Sequence, residues 1–280
     1  MKFIVIPRIT FRGANAQPSW WIVGPPGPMP ILGFSLALCR AIGIQSDFAA
    51  AGAVLHDYCL RAESGEYNAS LPHQQRGAAL IDNKDYASGT QSLSAQPTAR
   101  CDGIVSVVIG VSDHALIDNS AIVDFLDRGR IAGGTIARHG FIGTKTPSFN
   151  SLADAQKHIK GGFSMVDRSD LLTPRGAEDP LDAFLRVTRY YKVATKEECQ
   201  PESWLAPYAA GYIALNTPVE RPGTRDNLPH AFAEPVIGLM QFVSRNAAPV
   251  ALWRYATEPG QYLIEPLTET TVTTPEPQLA

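Results

Sequence analysis

The sequence predicts an α+β fold with a ferredoxin-like core, in which two βαβ units are split across one antiparallel sheet. Three observations predict it. Strand-like apolar runs and short amphipathic segments follow one another in the order strand, helix, strand, strand, helix, strand over residues 2–137. A long polar insertion separates the two halves of that pattern. The composition, with 45% hydrophobic and 18% charged residues among 280, is that of a chain that folds around a core.

The first half of the pattern begins with a continuous apolar run, Phe3-Ile4-Val5-Ile6, which predicts a strand over 2–10 that is buried on both faces. Pro7 lies within that strand and predicts an edge or a bulge at its far end. Apolar residues at helical spacing predict a helix over 31–42. Residues 53–62 predict the second strand.

The second half repeats the order. A segment rich in Val and Ile predicts a strand over 103–111, and an apolar stripe predicts a helix over 119–129. Residues 130–137 predict the last strand of the core, interrupted by Gly133-Gly134. The resulting βαββαβ order also underlies the RNA-recognition motif, although many unrelated proteins share it.

The predicted organisation of the chain has three parts. Residues 1–140 form the ferredoxin-like, RRM-type domain, and a Ser/Gln/Asn/Gly-rich insertion interrupts it at 63–100. Residues 141–267 form a smaller C-terminal α/β half-domain. Residues 268–280 are rich in Thr, Glu and Pro and predict a disordered tail.

Charge is distributed unevenly along the chain, and the net charge of −3 hides this. Residues 1–46 contain no Asp or Glu, and residues 128–157 contain a single acid, Asp154, against five basic residues. Four acids follow Arg254 with no basic residue among them, so their removal would change the net charge from −3 to +1. Such segregation arises either by chance in a chain with few charges or because the basic segments form an anion-binding face. Charge alone does not decide between these readings.

Two motifs have both a structural and a functional reading. Gly133-Gly134 inside a strand predicts a bulge or a close backbone approach, and the flanking arginines either contact phosphate or are simply solvated at a sheet edge. Trp20, with Trp21, Phe11 and Arg12 nearby, either forms a stacking surface for unpaired bases or packs beneath the loop.

Other function classes have little support in the sequence. No apolar run reaches 18 residues and no secretory signal is present, so we expect a cytoplasmic protein without a membrane partner. The four cysteines show no metal-ligand spacing, so no metal is expected. Gly24-x-x-Gly27 lacks the spacing of a phosphate-binding loop, and the six histidines are scattered, so we expect no cofactor and no catalytic residue.

Several segments, taken in order, are similar to a known family. The chain resembles the CRISPR-associated Cas five family, specifically the Csy two-type subunit of type I-F surveillance (Cascade) complexes. The segments that carry the resemblance are Ile6-Pro7-Arg8-Ile9, Gly13-Ala14-Asn15-Ala16-Gln17, Gly33-Phe34, Arg130-Ile131-Ala132-Gly133-Gly134-Thr135-Ile136, Gly162-Phe163 with Val166, Trp204-Leu205-x-Pro207, Gly211-Tyr212-x-Ala214-Leu215, Phe232-x-Glu234 and Leu252-Trp253.

The resemblance implies a non-catalytic RNA-binding subunit of a ribonucleoprotein complex in antiviral defence. Its core would be an RRM-like RAMP fold in which residues 63–100 form a thumb. The subunit would cap the 5′ handle of the CRISPR RNA and would contact the repeated backbone subunit and, if present, the large subunit. Target DNA would be a partner within the assembled complex.

An RNA held in an irregular single-stranded shape needs phosphate contacts, stacked bases and close backbone approach. The residues that we expect to supply them are Arg8, Arg12, Asn15, Trp20, Arg128, Arg130, Gly133, Gly134, Arg138, Arg221 and Arg225. Three alternatives stay open. The chain is the counterpart in the minimal I-F variant, which also reads the protospacer-adjacent motif on target DNA; or it is a metal-independent endoribonuclease that processes repeat RNA; or it is a protein scaffold without RNA contact.

Overall fold

A large antiparallel sheet with few helices packed against it dominates the structure. This computed structural model describes residues 1–19, 22–64, 70–72, 99–141, 148–188, 204–220, 228–256 and 261–267. The expected mixture of helices with one antiparallel sheet is therefore confirmed.

Among the described residues, eleven strands form the main sheet, and two more form a separate hairpin. The strands of the main sheet are β1 (Lys2–Asn15), β2 (Phe48–Leu60), β5 (Arg100–Val111), β6 (Arg130–Ile131), β7 (Gly134–Arg138), β8 (Ser148–Phe149), β9 (Phe163–Asp167), β10 (Leu205–Ala214), β11 (Ala233–Ser244), β12 (Trp253–Tyr255) and β13 (Gln261–Pro266). The hairpin strands are β3 (Ala62–Ser64) and β4 (Ser70–Pro72).

Neighbouring strands in the main sheet follow the order β12-β13-β10-β11-β9-β2-β5-β1-β7-β6, and β8 pairs with β1. The strands of the predicted core thus lie in the order β7-β1-β5-β2, with β1 between β5 and β7. Every one of these neighbouring pairs is antiparallel.

Helices cover parts of both faces of the sheet. In the described part of the chain they are α1 (Pro28–Ala41), α2 (Asn119–Arg128), α3 (Leu152–Gln156) and α4 (Pro180–Thr188). Proline occupies the first turn of α1, where its missing N–H costs nothing. The carboxylate of Asp118 caps α2 by accepting hydrogen bonds from the N–H groups of Ser120 and Ala121.

The side chains of β1 divide between two cores. Ile4 and Ile6 have no exposed surface and lie in the larger core, which includes residues of α1 and α2. Phe3 and Val5 point to the other face and pack in a smaller core that includes Ala155 of α3. The prediction that this run is buried on both faces is therefore confirmed.

The C-terminal strands return to β2 and close a ring. β2 pairs with β9 at Val54 and Leu55, and its residue Ala51 pairs with Trp253 of β12. Because β9, β11, β10, β13 and β12 also pair in succession, six strands form a closed circuit. Trp253, 1% exposed, donates its indole N–H to the carbonyl oxygen of Met165 at 3.1 Å inside this circuit.

Four element boundaries differ from the prediction by three or more residues. Two of them are strand starts: β2 begins at Phe48 rather than at residue 53, and β5 begins at Arg100 rather than at residue 103. β1 continues past residue 10 to Asn15, because irregularities between Ile6 and Ile9 and between Phe11 and Ala14 let the strand accommodate Pro7 and Gly13. α1 begins at Pro28 rather than at residue 31, since proline is well suited to the first turn of a helix.

The predicted bulge at Gly133-Gly134 is wrong. Ile131 pairs with Gly134, so Ala132 and Gly133 form a two-residue turn between β6 and β7. Both turn residues have positive φ, +48° and +75°, as the tightest hairpin turns require. The predicted single strand is thus a hairpin.

Much of the predicted insertion lies outside the described residues. Of 63–100, the structure describes 63–64, 70–72 and 99–100, where β3 and β4 pair. The predicted tail, 268–280, also lies outside the described residues.

Candidate nucleic-acid interface

The sheet face opposite α1 and α2 has a covered part and an open part. Phe3 and Val5 are covered in the smaller core, whereas polar side chains follow beyond Pro7. Ile9 and Phe11 remain buried in the larger core on the first face. Because side chains alternate along a strand, the opposite face carries the residues between and beside them, namely Arg8, Thr10 and Arg12.

Strand pairing brings two more arginines to the open part. Arg12 pairs with Thr135, which pairs in turn with Arg130, while Thr10 pairs with Arg138 across a register irregularity. Directly paired residues share a face of the sheet. We call the surface formed by Arg8, Arg12, Arg130 and Arg138 the arginine face.

All four arginines of the arginine face are exposed. Within the described part of the chain, none of the four forms a salt bridge. Their guanidinium groups are therefore available to an anionic ligand, and guanidinium geometry suits bidentate contact with phosphate oxygens.

Two arginines that the sequence reasoning missed lie beside this surface. Arg61 binds Asp102, and Arg100 donates from Nη1 to the carbonyl oxygen of Gly13 at 3.0 Å. Both flank the insertion and have acids close to them in sequence, so neither lies in an acid-free segment. The pairing of Asn15 with Arg100 is the signal that places Arg100 beside β1, and only the strand register shows it.

The β6–β7 turn is fixed tightly against the end of β1. The Asn15 N–H donates to the carbonyl oxygen of Ala132 at 2.8 Å. A Cβ atom at Gly134 would lie 2.6 Å from the backbone nitrogen of Ala14, which is closer than real contacts allow. The close backbone approach expected at this position is therefore confirmed, with Gly134 supplying the space for it.

A cavity of about 220 Å³ opens next to Asn15. The Asn15 side chain forms a local turn with Gln17, accepting its N–H at 2.9 Å. The ring of Tyr208, which is buried, and that of Tyr212, which is 40% exposed, contribute to the wall from β10. The remaining lining residues are mostly apolar and include Pro18, Pro25, Pro26, Gly27, Met29, Pro30, Ala132, Pro207 and Ala209.

The chemistry of this cavity suits an uncharged planar group. Proline lacks the N–H groups with which a backbone loop binds phosphate, and four prolines line the part of the cavity contributed by the loop before α1 and its first turn. Tyrosine and proline rings offer flat apolar surfaces instead. The same prolines make Gly24-x-x-Gly27 poorly suited to bind phosphate through backbone N–H groups.

Among the remaining predicted residues that the structure describes, Arg128 does not join the arginine face. Arg128 lies in the last turn of α2, on the helical side of the sheet, and donates from Nε to the carbonyl oxygen of Asp124 at 3.2 Å. Trp20, Arg221 and Arg225 lie outside the described residues.

The described residues form neither a metal cluster nor a membrane-spanning helix. Among them, no group of three or more His, Cys, Asp and Glu side chains is arranged to hold a metal ion. In the same part of the chain, no helix is both long and apolar enough to cross a membrane.

Comparison with known proteins relates the chain to a family. The family model described as CRISPR-associated protein (Cas_Csy2) matches residues 4–264. The CRISPR-associated protein Csy2 of Pseudomonas aeruginosa (strain UCBPP-PA14) is 26% identical over 310 aligned positions, which cover 93% of each chain. The family match runs through the first and last strands of the main sheet, and it includes β1, the β6–β7 turn and β10. The chain therefore belongs to the Csy2 family of CRISPR-associated proteins.

Proposed function

We propose that this chain is the non-catalytic, Cas five-type subunit that caps the 5′ handle of the CRISPR RNA in a type I-F Cascade complex. In this role it binds RNA on the arginine face and docks to the repeated backbone subunit and, where present, to the large subunit. It acts in the cytoplasm, and target DNA is a partner within the assembled complex. One observation carries the proposal. Four arginines converge on an uncovered face of the sheet and form no salt bridge among the described residues, in a chain of the Csy2 family.

The strand order supports an RRM-like core. A ferredoxin-like fold places its four strands in the order 4-1-3-2, all antiparallel, with both helices on one face. Here β7-β1-β5-β2 follow that order, and residues of α1 and α2 pack on one face with β1, β2, β5 and β7. RNA-recognition motifs bind single strands on the sheet face that their helices leave open, which corresponds to the arginine face.

The charge of the arginine face supports contact with the RNA backbone. Phosphates dominate the affinity of nucleic-acid binding, and arginine is the side chain best matched to them. Asp57 and Asp102 lie on the same side of the sheet, but Asp102 is already bound to Arg61. The arginines retain a net positive charge on this surface, although the whole chain carries −3.

The cavity beside Asn15 supplies the second element of single-strand recognition. Bases that leave the stack are held by aromatic rings and are read by hydrogen bonds at their edges. Tyr212 offers an exposed ring, the buried Tyr208 supports the wall beside it, and Asn15 offers an amide. Phosphates on the arginine face and a base in the cavity would together hold an irregular single strand.

A binding measurement with charge reversals tests the proposal. Repeat RNA from the host array is titrated with the purified protein, or with its complex with the backbone subunit, at several salt concentrations. Arg12→Glu and Arg138→Glu are each expected to weaken binding roughly tenfold or more, because each removes a charge-assisted contact and adds repulsion. Arg40→Glu, at an exposed arginine in the last turn of α1, is the matched control and is expected to leave affinity unchanged. Equal affinities for all four proteins would overturn RNA binding by the arginine face.

Assembly and cleavage assays test the remaining parts. Co-expression with the backbone subunit and CRISPR RNA is expected to yield a complex that requires this chain, and a stable complex with a protected 5′ handle in its absence would contradict capping.

Repeat RNA incubated with the purified protein is expected to stay intact, and shorter products would indicate an endoribonuclease. Crosslinks from RNA to Arg12 or Arg130 are expected, whereas a scaffold would give none.

A further inference from the structure

The backbone of β1 adopts an unusual conformation at Arg8. Its φ is +51°, in the left-handed region that residues with a Cβ seldom occupy, and the register of β1 on β5 jumps between Ile6 and Ile9. Arginine has no short polar side chain with which to stabilise such a backbone locally. Neighbouring strands must therefore hold this conformation in place.

Ser106 on β5 holds it directly. The Arg8 N–H donates to Ser106 Oγ at 2.9 Å, and Ser106 has no exposed surface. On the other side, the Gly140 N–H donates to the carbonyl oxygen of Pro7 at 2.8 Å. The irregularity of β1 at Arg8 is thus held by hydrogen bonds from both neighbouring segments.

His56 on β2 completes the arrangement. Its Nε2 lies 2.7 Å from Ser106 Oγ. The buried Ser106 hydroxyl also has one proton to donate, and we assign Nε2 as its acceptor, which places the ring proton on Nδ1. Burial, followed by the nearby positive charge of Arg8, lowers the pKa of His56, consistent with a neutral ring that accepts this bond.

Gly162 lies close against the imidazole ring of His56. Its φ is +91°, and a Cβ atom there would lie 2.9 Å from Nδ1 of His56 and 2.7 Å from a side-chain carbon of Val54. A side chain at this position would therefore displace the ring. Four elements, namely β1, β5, β2 and the turn before β9, thus cooperate in one chain of contacts that ends at the backbone of Arg8.

We propose that Ser106 and His56 are positioning residues, which hold Arg8 in its left-handed conformation so that its guanidinium is preorganised on the arginine face to bind an RNA phosphate. The proposal rests on the proposed function. Its physical basis is that an arginine whose backbone is fixed before binding loses less conformational freedom when the ligand arrives. The guanidinium of Arg8 has no carboxylate partner among the described residues, so its position serves no salt bridge there.

The salt dependence of RNA binding separates positioning from a merely structural role. For single strands, the slope of log affinity against log salt becomes shallower by about 0.7 for each phosphate that the protein no longer neutralises. Repeat RNA is titrated at several salt concentrations with wild-type protein, Arg8→Ala, Ser106→Ala and the double variant. Arg8→Ala is expected to weaken binding roughly tenfold and to make the slope shallower by the amount that corresponds to one phosphate.

Ser106→Ala is expected to weaken binding by roughly three- to tenfold and to change the slope in the same direction. The double variant is expected to bind as Arg8→Ala does, because Ser106 acts through Arg8. Ser164→Ala is the matched control: Ser164 is also fully buried and accepts a backbone N–H, that of Ala251, at 2.9 Å. It is expected to lower stability while leaving the salt slope of the remaining folded protein unchanged.

His56→Ala guards against failure of Ser106→Ala to fold, since His56 is half-buried and its truncation leaves a solvent-accessible gap. It is expected to shift affinity and slope in the direction of Arg8→Ala. If wild type binds RNA and Arg8→Ala weakens binding, but Ser106→Ala and His56→Ala keep the wild-type slope, the positioning role is overturned and RNA binding stands. Wild-type binding by Arg8→Ala also overturns it. If wild type does not bind repeat RNA, the proposed function itself fails.

Discussion

The guanidinium of Arg61 lies side-on against the carboxylate of Asp102, with Nη2 2.8 Å from Oδ1 and Nε 3.2 Å from Oδ2. The same carboxylate accepts the Gly13 N–H at 2.7 Å. One acidic side chain on β5 therefore ties the chain just beyond β2 to the second irregularity of β1, at the point where the insertion leaves the sheet.

This contact makes stability sensitive to acid. Burial alone would raise the pKa of Asp102, but the hydrogen bonds from Arg61 and Gly13 outweigh it and hold the pKa below its usual 3.8. A carboxyl whose pKa is lowered on folding adds stability above its unfolded pKa and loses it as the pH falls through the folded value. Asp102→Asn is expected to be less stable than wild type at pH 7 and to lose less stability on acidification from pH 5. Urea unfolding across that range measures this, with Asp124→Asn as the surface control; parallel curves for Asp102→Asn and wild type would contradict it.

The β6–β7 turn predicts that the adjacent glycines Gly133 and Gly134 differ in whether they tolerate substitution by asparagine. Gly133 needs positive φ but has open space around its Cα, so Gly133→Asn is expected to be nearly neutral, because asparagine enters this conformation readily. Gly133→Ala is expected to cost about 1–2 kcal/mol from backbone strain alone. Thermal unfolding measures both, and equal losses for Asn and Ala would argue against the turn conformation.

Gly134 is expected to tolerate no side chain, and the reason differs from that at Gly133. Its Cβ would meet backbone atoms of Ala14 at 2.6 and 2.7 Å, and backbone cannot move aside as the end of a flexible side chain can. Gly134→Ala is expected to cost about 1–3 kcal/mol of unfolding free energy, and Gly134→Asn no less. A neutral Gly134→Asn in the same assay would contradict the close approach of the two strands.

Helix α1 offers a stabilising change. Gly33 lies in its interior, is exposed, and has no atom within 4 Å of an added Cβ. Gly33→Ala is expected to raise the free energy of unfolding by about 0.5–1 kcal/mol, because alanine loses less backbone freedom on folding. Chemical denaturation measures the change, and a loss of stability would mean that this position is covered.

The cavity predicts a contribution to RNA affinity that salt does not alter. Tyr212→Ala is expected to weaken repeat-RNA binding by about 1–3 kcal/mol, the range for one stacked base, with the wild-type salt slope, since every phosphate remains bound. Tyr212→Phe is expected to bind as wild type, because the ring is kept. Trp204→Ala, at an exposed aromatic stacked on Phe163, is the control and is expected to leave affinity unchanged. A change in slope on Tyr212→Ala would place phosphate, rather than a base, in the cavity.

Local signals predicted α2 well and α1 poorly, for different physical reasons. The capping side chain of Asp118 lies next to the helix it starts, so the bounds of α2 agree with the prediction to one residue. The first turn of α1 begins with a proline in a proline-rich loop, and the same residues that suggested a loop are compatible with a helix start. β1 was predicted too short because its two irregularities depend on partners that are distant in sequence, on β5.

The residues of the candidate site were likewise predictable where the signal is local in the sequence, and were missed where it depends on distant strands. Arg8, Arg12, Arg130 and Arg138 were found because they lie in segments with few or no acids, a property visible in the sequence. Arg61 and Arg100 were missed because acidic residues lie close to them in sequence, and only the register of β5 on β1 and β2 places them next to the arginine face. Ser106 carried no signal at all, since a serine in a Val-rich strand becomes informative only when its partners are known.

The single pairing of Ala51 with Trp253 has a consequence for how the protein meets other chains. A strand with an unpaired edge invites another chain to extend the sheet, which leads to swapping and aggregation. By joining β12 to β2, this pairing gives β12 a partner on both sides, so that β12 is not an outermost strand of the sheet in the described part of the chain. The remaining outer strands, β6 and β8, have two residues each, too few to template another strand. Closure of the circuit therefore removes one edge strand to which another chain could add through backbone hydrogen bonds, which favours side-chain contacts as the means by which other subunits join.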